Sequence, residues 1–274
     1  MPVLEYELGL RAIVFAGILG AMSAWEWLAP RRERDHPMVL RWRTNLGLIV
    51  IGTALLRWIL PVAAVGSALW AQSRHIGLFN WADWPAWLEW VLAIVLLDLC
   101  IYWQHVATHR LPWLWRLHRV HHADRDLDVS SGVRFHPLEV LLSMLYKMLC
   151  VVLLGPAAAA VILFELILNG VSLFNHANVR LPSGVDRLLR LIVVTPDMHR
   201  VHHSVRARET DSNFGFCLPF WDRLFGSYRA QPGAGHNQMN LGLTEVQDAR
   251  ASQLRWTVLS PLNRIKGNGA QERT

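Results

Sequence analysis

The sequence predicts an all-α membrane protein, a bundle of about four or five transmembrane or re-entrant helices with a histidine-rich face on the cytoplasmic side. Of its 274 residues, 53% are hydrophobic and 18% are charged, which is too apolar for an ordinary soluble domain. Its 14 tryptophans exceed typical usage, and tryptophan prefers the membrane–water interface. The pentapeptide His-Arg-Val-His-His also occurs twice, at 118–122 and 199–203.

Three apolar segments in the first half of the chain are predicted to span the bilayer. They cover residues 12–29, residues 45–71 with interruptions at Arg57 and Pro61, and residues 85–104. A helix needs about 20 apolar residues to cross the hydrocarbon layer. The intervening loop at 31–43 carries five arginines, so the positive-inside rule predicts that it is cytoplasmic.

Residues 138–175 are apolar again, with Gly155-Pro156 in the middle. Glycine and proline interrupt a helix, so we expect two helices that form a hairpin, either spanning or re-entrant. Counting from the arginine-rich loop, every histidine motif then ends on the cytoplasmic side. The predicted organisation is N-terminal transmembrane helices at 1–84, a catalytic domain at 85–230 and a polar tail at 231–274, whose last residues, KGNGAQERT, are expected to be disordered.

Eight histidines occur in three motifs that are spaced for one helix face. HxxxH places His105 with His109, and each HxxHH places residues i, i+3 and i+4 together. Each motif alone is also compatible with solvated or interfacial histidines. Three motifs on one membrane face favour a metal site, because burying so many imidazoles would be costly without a cation. Imidazole suits iron, zinc or copper, so the histidine count does not identify the metal.

The motifs together resemble a known family. HxxxH, HxxHH, HPLE at 136–139, NHAN at 175–178 and the late HxxHH, in this order and at these intervals, are similar to the fatty acid hydroxylase superfamily, specifically its sterol desaturase branch. The resemblance extends from about Asp98 to Tyr228 and includes NFGF at 213–216 and WDRLFGSY at 221–228.

The resemblance implies a multi-pass membrane oxidoreductase, a lipid hydroxylase or desaturase that uses O₂ and two non-haem iron ions on a C–H bond of a sterol, fatty acyl chain or related lipid. Zinc is also expected in purified samples, because it binds imidazole sites more tightly than Fe(II). The metal ligands that the resemblance implies are His105, His109, His118, His121, His122, His176, His199, His202 and His203.

Further candidates lie beside these ligands. His136, Asp98 and Asn175 are possible ligands or hydrogen-bond partners of ligands. For His136, a structural contact at the helix start marked by Pro137 is the competing interpretation. Asp197 and Asn178 are candidates for the same supporting role, with helix capping as the alternative. The remaining histidines, in loops outside the motifs, are expected at the surface: His36, His75 and His236.

The expected partners are a lipid substrate from the bilayer and a separate electron-transfer protein, because the sequence has no haem, flavin or ferredoxin motif. Nucleic acid is not expected: arginines beside apolar segments account for the net charge of +6, and no basic–aromatic module is visible. Two alternatives remain open. One is a membrane metal-binding or transport protein, and the other is a zinc-dependent membrane hydrolase.

Overall fold

The structure is a computed structural model that describes residues 6–263, and within this range helices and turns occur without any extended strand. This confirms the predicted all-α class. The helices, numbered in chain order, are α1 (Glu7–Leu28), α2 (Met38–Ile59), α3 (Ala63–Ser73), α4 (Ala86–Arg110), α5 (Pro112–His122), α6 (Pro137–Leu154), α7 (Ala158–His176), α8 (Ser183–Leu189), α9 (Pro196–His202), α10 (Ala207–Thr210), α11 (Phe220–Leu224) and α12 (Leu254–Leu259).

Five segments of the described chain are long and apolar enough to cross a membrane: Glu7–Leu28, Met38–Asn80, Ala86–Arg110, Pro137–Leu154 and Ala158–His176. They match the predicted spans, with shifted ends. The second is broken into α2 and α3 by the turn that contains Pro61. Proline cannot donate the helical hydrogen bond and its ring clashes with the preceding turn, so the break falls where the sequence predicted an interruption.

The predicted hairpin is formed by α6 and α7. Gly155 ends α6 in the left-handed conformation with φ of 65°, a conformation that glycine adopts without a steric penalty. The hairpin tip contacts both the loop before α4 and the first turn of α4: the Asn80 side chain donates to Gly155 O at 3.0 Å, and Ala157 N donates to the Glu89 carboxylate at 2.7 Å. The tip and the start of α4 therefore lie at the same end of the bundle.

The opposite end is held together by buried charged groups. Near the end of α1, one Glu26 carboxylate oxygen accepts from both Val129 N and Asn178 N at 2.7 Å. At the start of α2, the buried Arg41 guanidinium contacts Asp124 at 2.7 Å and Asp128 at 2.6 Å. These contacts bring the polypeptide just after α5 and just after α7 to one end, which is the end where all the histidine motifs lie.

Apolar packing in the membrane half joins α3, α4, α6 and α7 through a buried cluster that includes Leu97, Val151 and Phe164. In the other half, residues 231–263, which were predicted to belong to a polar tail, contain buried Met239 and Leu241. The segment KGNGAQERT lies outside the described residues.

Candidate metal centre

The first two histidine motifs meet because the chain turns sharply between α4 and α5. His105 and His109 lie in the last turns of α4, and Leu111 is extended, with φ of −92° and ψ of 117°. Pro112 then occupies the first turn of α5, where its missing N–H costs nothing. The turn directs α5 back so that its histidines face those of α4.

The third motif lies on α9, which begins where the sequence predicted. Thr195 is the N-cap residue, its hydroxyl oxygen accepts from Met198 N at 3.4 Å, and Pro196 follows in the first turn. The same hydroxyl donates to Asp186 at 2.6 Å, so the start of α9 is fixed to α8.

The structure brings the nine predicted histidines into two groups, within each of which the candidate ligand atoms lie within 4.8 Å of one another. We call them group A (His105, His109, His118, His122 and His202) and group B (His121, His176, His199 and His203). All nine side chains are buried. Each HxxHH motif is divided: its outer two histidines join one group and its middle histidine joins the other.

Hydrogen bonds at Nδ1 orient four of the five rings of group A. His105 Nδ1 faces Phe214 O at 2.8 Å, His202 Nδ1 faces Ser212 O at 2.8 Å, and His109 Nδ1 faces the Asp211 carboxylate at 3.3 Å. His118 Nδ1 faces the Glu139 carboxylate at 2.6 Å. Since these oxygens only accept, each Nδ1 carries the proton, and Nε2 keeps its lone pair. The Nε2 atoms of His105, His118 and His202 are buried without a hydrogen-bond partner among residues 6–263.

Two of the four rings of group B have the same pattern, with backbone acceptors. His121 Nδ1 faces Arg134 O at 3.2 Å, and His176 Nδ1 faces Ser172 O at 2.7 Å. Their Nε2 atoms are therefore both unprotonated in the neutral rings, yet they lie 3.1 Å apart. Two lone pairs at this distance repel each other unless a proton or a cation lies between them.

Protonation of these buried imidazoles is disfavoured. Burial, together with the neighbouring imidazoles, lowers the pKa of His121, His199 and His203 well below 6.5. In group A, burial lowers the pKa of His202 to about 3, although its hydrogen bond to Ser212 acts in the opposite direction. These four rings are thus neutral, which is the protonation state that a metal requires of histidine.

The spacing of the group B nitrogens also fits a metal ion. Successive Nε2 atoms of His121, His176, His199 and His203 are 3.1, 3.0 and 3.2 Å apart. Two nitrogens bound about 2.1 Å from one ion are about 3.0 Å apart at a right angle and about 3.4 Å apart at the tetrahedral angle. Neutral, oriented, converging imidazoles are a donor set suited to iron or zinc.

Sequence reasoning did not identify the side chains that hold these rings. Glu139 contacts His118 although the two are 21 positions apart, and Asp211 contacts His109 across 102 positions. The acidic residue of HPLE was a usable signal for Glu139, because a carboxylate is a common partner of a metal-bound histidine. The carbonyl acceptors leave no trace in the sequence.

The three additional candidates lie outside both groups. His136 is the N-cap of α6: its Nδ1 accepts from Leu138 N and its Nε2 lies 3.1 Å from Val258 O, which agrees with the structural interpretation. Asp98 accepts from the backbone N–H groups of Cys217 and Leu218, each at 3.1 Å, and so supports a loop instead of an imidazole. The Asn175 amide donates to Phe216 O at 3.1 Å.

The hydrogen-bond and ion-pair partners of Asp197 and Asn178 likewise lie outside histidine groups A and B. Asp197 pairs with Arg200 and with Arg31, the latter at 3.1 Å. The Asn178 side chain accepts from Arg32 N at 3.0 Å and donates to Arg32 O at 2.8 Å. Both therefore fix the loop that follows α1 to the end of the bundle where the histidines lie.

One expectation about the remaining histidines was wrong. His75 is exposed and His36 is half-buried, but His236 is buried, with 6% of its surface exposed. Its Nε2 lies 3.6 Å from the Asp197 carboxylate. The error arose because residues 231–263 pack against the rest of the protein, which their polar composition did not indicate.

Known proteins resemble the part of the chain that carries these motifs. The fatty acid hydroxylase family profile matches residues 90–227. The chain is 32% identical over 173 residues to ornithine lipid hydroxylase OlsE of Rhizobium tropici, which is 63% of this chain and 51% of that protein. It is 30% identical over 164 residues to human alkylglycerol monooxygenase, which is 60% of this chain and 35% of that protein.

Human cholesterol 25-hydroxylase is 24% identical over 218 residues, which is 77% of each chain. No solved structure shows significant similarity to the chain. The chain spans about half the length of the ornithine lipid hydroxylase and about a third of the alkylglycerol monooxygenase. Because the family profile covers the complete set of histidine motifs, this multi-pass membrane protein belongs to the fatty acid hydroxylase family.

Proposed function

We propose that the protein is a membrane-bound, O₂-dependent lipid hydroxylase that holds two iron ions, one in group A and one in group B. The observation that carries the proposal is the pair of buried histidine groups whose candidate ligand atoms lie within 4.8 Å of one another, while the Nδ1 atoms of six of the nine rings face fixed acceptors. The names of the relatives support hydroxylation over desaturation, since they describe a lipid hydroxylase, a monooxygenase and a cholesterol hydroxylase.

Bound iron would supply the O₂ activation that oxidation of an unactivated C–H bond requires. The protein's own part is to orient its imidazoles before the metal binds. Phe214 O, Ser212 O and Arg134 O accept from Nδ1 of His105, His202 and His121, so that each ring offers its Nε2. Burial of these rings excludes bulk water from the centre.

The carboxylates act through the rings and not on the metal. Glu139 accepts from His118 Nδ1, which makes the His118 ring a stronger donor through Nε2. Asp211 is placed to do the same for His109. The atoms proposed to bind the metal are therefore neutral imidazole nitrogens. The carboxylates of Glu139 and Asp211 affect the metal only through the histidine rings.

Hydroxylation of a C–H bond by O₂ gives one alcohol and one water, and it consumes two electrons and two protons. We propose that a separate electron-transfer protein delivers the electrons on the cytoplasmic side. The arginine-rich loop at 31–43 supports this orientation through the positive-inside rule, since its Arg31 and Arg34 pair with groups at the histidine end of the bundle. The substrate would reach the centre from the bilayer.

The two alternatives have less support. A transport path would use ionisable groups within the membrane, but Glu165 on α7 is paired with Arg11 at 2.6 Å and with Lys147. A zinc hydrolase typically needs three protein ligands and an open position, and groups of five and four histidines exceed that.

Isotope labelling tests the proposal. The purified protein, loaded with iron and supplied with a reductant and bacterial membrane lipids, is expected to incorporate one oxygen atom from labelled O₂ into a lipid, as measured by mass spectrometry. Metal analysis should give two ions per chain in the active sample, although zinc can replace iron during purification. Label from water alone, or full activity without O₂ and with one metal per chain, would contradict it.

A further inference from the structure

The short helix α8 and the residues after it expose apolar side chains outside the five membrane-spanning segments. Their exposed fractions are 44% for Val185, 68% for Leu188, 62% for Leu191 and 67% for Ile192. On a helix that faces water, this outward surface would carry the charged residues.

Two charged residues, Asp186 of α8 and Arg190 directly after it, instead face the protein, whereas Arg187 is exposed. Asp186 pairs with Arg190 and accepts from the Thr195 hydroxyl at 2.6 Å. The Arg190 side chain is 8% exposed and also donates to Ala230 O at 3.0 Å. This segment thus turns Asp186 and Arg190 toward the protein and turns its large apolar side chains outward.

A second short helix, α11, repeats this arrangement. Phe220, Leu224 and Phe225 are 54%, 56% and 43% exposed, whereas Asp222 between them is completely buried. The Arg223 guanidinium donates to Arg190 O at 2.7 Å and joins α11 to the end of α8. We refer to the combined outward surface as the apolar rim, formed by Leu188, Leu191, Ile192, Phe220, Leu224 and Phe225.

The apolar rim continues a surface that already faces lipid. The Phe225 ring lies 4.9 Å from the ring of Trp103, which is 46% exposed on the membrane-spanning helix α4. An exposed patch of this kind on a soluble face marks an interaction site, and the nearest interaction partner is the bilayer that surrounds α4. Exposed Arg187, between the apolar residues of α8, suits the level of the lipid headgroups.

We propose that the apolar rim is embedded in the lipid leaflet at the histidine end of the bundle, with the side chains of α8 and α11 among the acyl chains. The buried sides of the same helices hold the centre: Asp186 fixes Thr195 at the start of α9, and Asp222 accepts from Phe214 N at 2.7 Å. The rim therefore anchors the third histidine motif and the His105 acceptor to the membrane boundary. The inference requires a membrane protein, and it does not depend on the metal or the reaction.

Photo-crosslinking in phospholipid nanodiscs tests this. Benzoylphenylalanine is introduced at Leu188, Ile192 or Leu224, with Leu153 of α6 as the lipid-facing control and exposed Arg250 as the water-facing control. We expect lipid adducts at the three rim positions at the level of Leu153, and none at Arg250. Crosslinks to a second copy of the chain, or rim positions that behave like Arg250, would overturn the proposal.

The unmodified protein gives a second measurement that does not depend on any variant. Hydroxyl-radical footprinting in the same nanodiscs should leave Leu188 and Ile192 as little oxidised as Leu153, although their side chains are exposed in the protein itself. Oxidation of Leu188 and Ile192 well above that of Leu153 would show that they face water, and would contradict the embedding. Neither measurement uses activity or metal content, so both can succeed or fail independently of the proposed hydroxylase function.

Discussion

Glu139 makes the shortest of the hydrogen bonds that orient a histidine of the two groups. Its carboxylate lies 2.6 Å from His118 Nδ1, and both side chains are buried. A hydrogen bond to an ionised acceptor is about twice as strong as a neutral one, so this contact both fixes the ring and makes Nε2 more basic. Glu139 is thus the residue whose removal should most clearly separate orientation of a ligand from ligation itself.

We therefore predict graded losses at Glu139. Glu139→Gln keeps a neutral acceptor for His118 Nδ1 and should lower metal affinity by about 10-fold, whereas Glu139→Ala should approach the upper end of the ~10–100-fold range for such partners. For both variants, mass spectrometry measures the metal content and product formation measures turnover. His118→Ala should lose metal and activity altogether, and exposed His75→Ala should change neither. Equal metal content in the alanine variant and the wild type would exclude this role.

For individual residues, the sequence predicted which imidazoles come together but not which groups orient them. The repeated HxxHH and the HxxxH identified eight histidines by helical spacing, and NHAN added His176 by resemblance. Their acceptors are mostly backbone carbonyls in loops, such as Ser212 O and Phe214 O, whose positions depend on tertiary packing. A carbonyl is present at every residue, so its use leaves no pattern in the sequence.

Among the structural elements, the loop after α10 is the one on which group A depends most. Three contacts, from Asp211, Ser212 and Phe214, orient rings of group A. The loop is held from α4 by Asp98, which accepts from two backbone N–H groups and from the Trp221 indole at 3.0 Å. Asp98 thus supports His105 indirectly, through the backbone that carries the acceptor.

Asp98→Asn should consequently weaken the centre without abolishing it. The amide keeps one acceptor oxygen and presents an NH₂ group to at least one buried donor, and an unsatisfied buried donor costs about 1–3 kcal/mol. We expect metal occupancy and turnover to fall by about 10-fold, less than in His105→Ala. Asp248→Asn, at an exposed position, is the matched control. A complete loss of metal in Asp98→Asn would indicate that Asp98 acts directly on the metal.

The hairpin of α6 and α7 depends on glycine at its tip. Gly155 has φ of 65°, and an added Cβ would collide with the Asn80 side chain and Ile76 O. Gly155→Ala should destabilise the protein by about 1–2 kcal/mol from the left-handed backbone alone. Thermal unfolding in detergent measures this. Gly20→Ala, in α1 with nothing within 4 Å, should be neutral or slightly stabilising. Equal effects of the two substitutions would contradict the explanation.

The elements themselves were more predictable than their contacts. Apolar length located the spans, and Pro61 and Gly155 marked the interruptions, because these two residue types act on the local backbone. Residues 231–263 were predicted to belong to a polar tail, and their composition did not indicate the buried side chains that they contain. Their buried apolar side chains, such as Met239, Leu241 and Val246, lie at irregular intervals among polar and glycine residues, so no helical or strand period marks them, and the surface they pack against decides their burial.

Across the whole molecule, the two histidine groups share the motifs of α5 and α9, whereas α4 contributes only to group A and α7 only to group B. In α5 the outer histidines of the motif join group A, and in α9 they join group B, so each helix contributes to both. Any shift of α9 relative to α5 would therefore disturb both groups at once. This interdependence favours a centre that binds two ions together over two independent sites.

The placement of the groups at one end of the bundle predicts the topology of the chain. Leu78 lies beside the hairpin tip, whereas Asn240 accepts from Val205 N at 3.1 Å, next to the third histidine motif. An impermeant thiol reagent should label Leu78→Cys on intact cells and Asn240→Cys only after permeabilisation, if the histidine end is cytoplasmic. The parent protein, in which Cys150 and Cys217 are buried and Cys100 is half-buried within the membrane-spanning α4, is the control. Labelling of both positions from one side would mean that α4 does not cross the membrane. Labelling of Asn240→Cys alone on intact cells would show the opposite orientation, with electron delivery on the other face of the membrane.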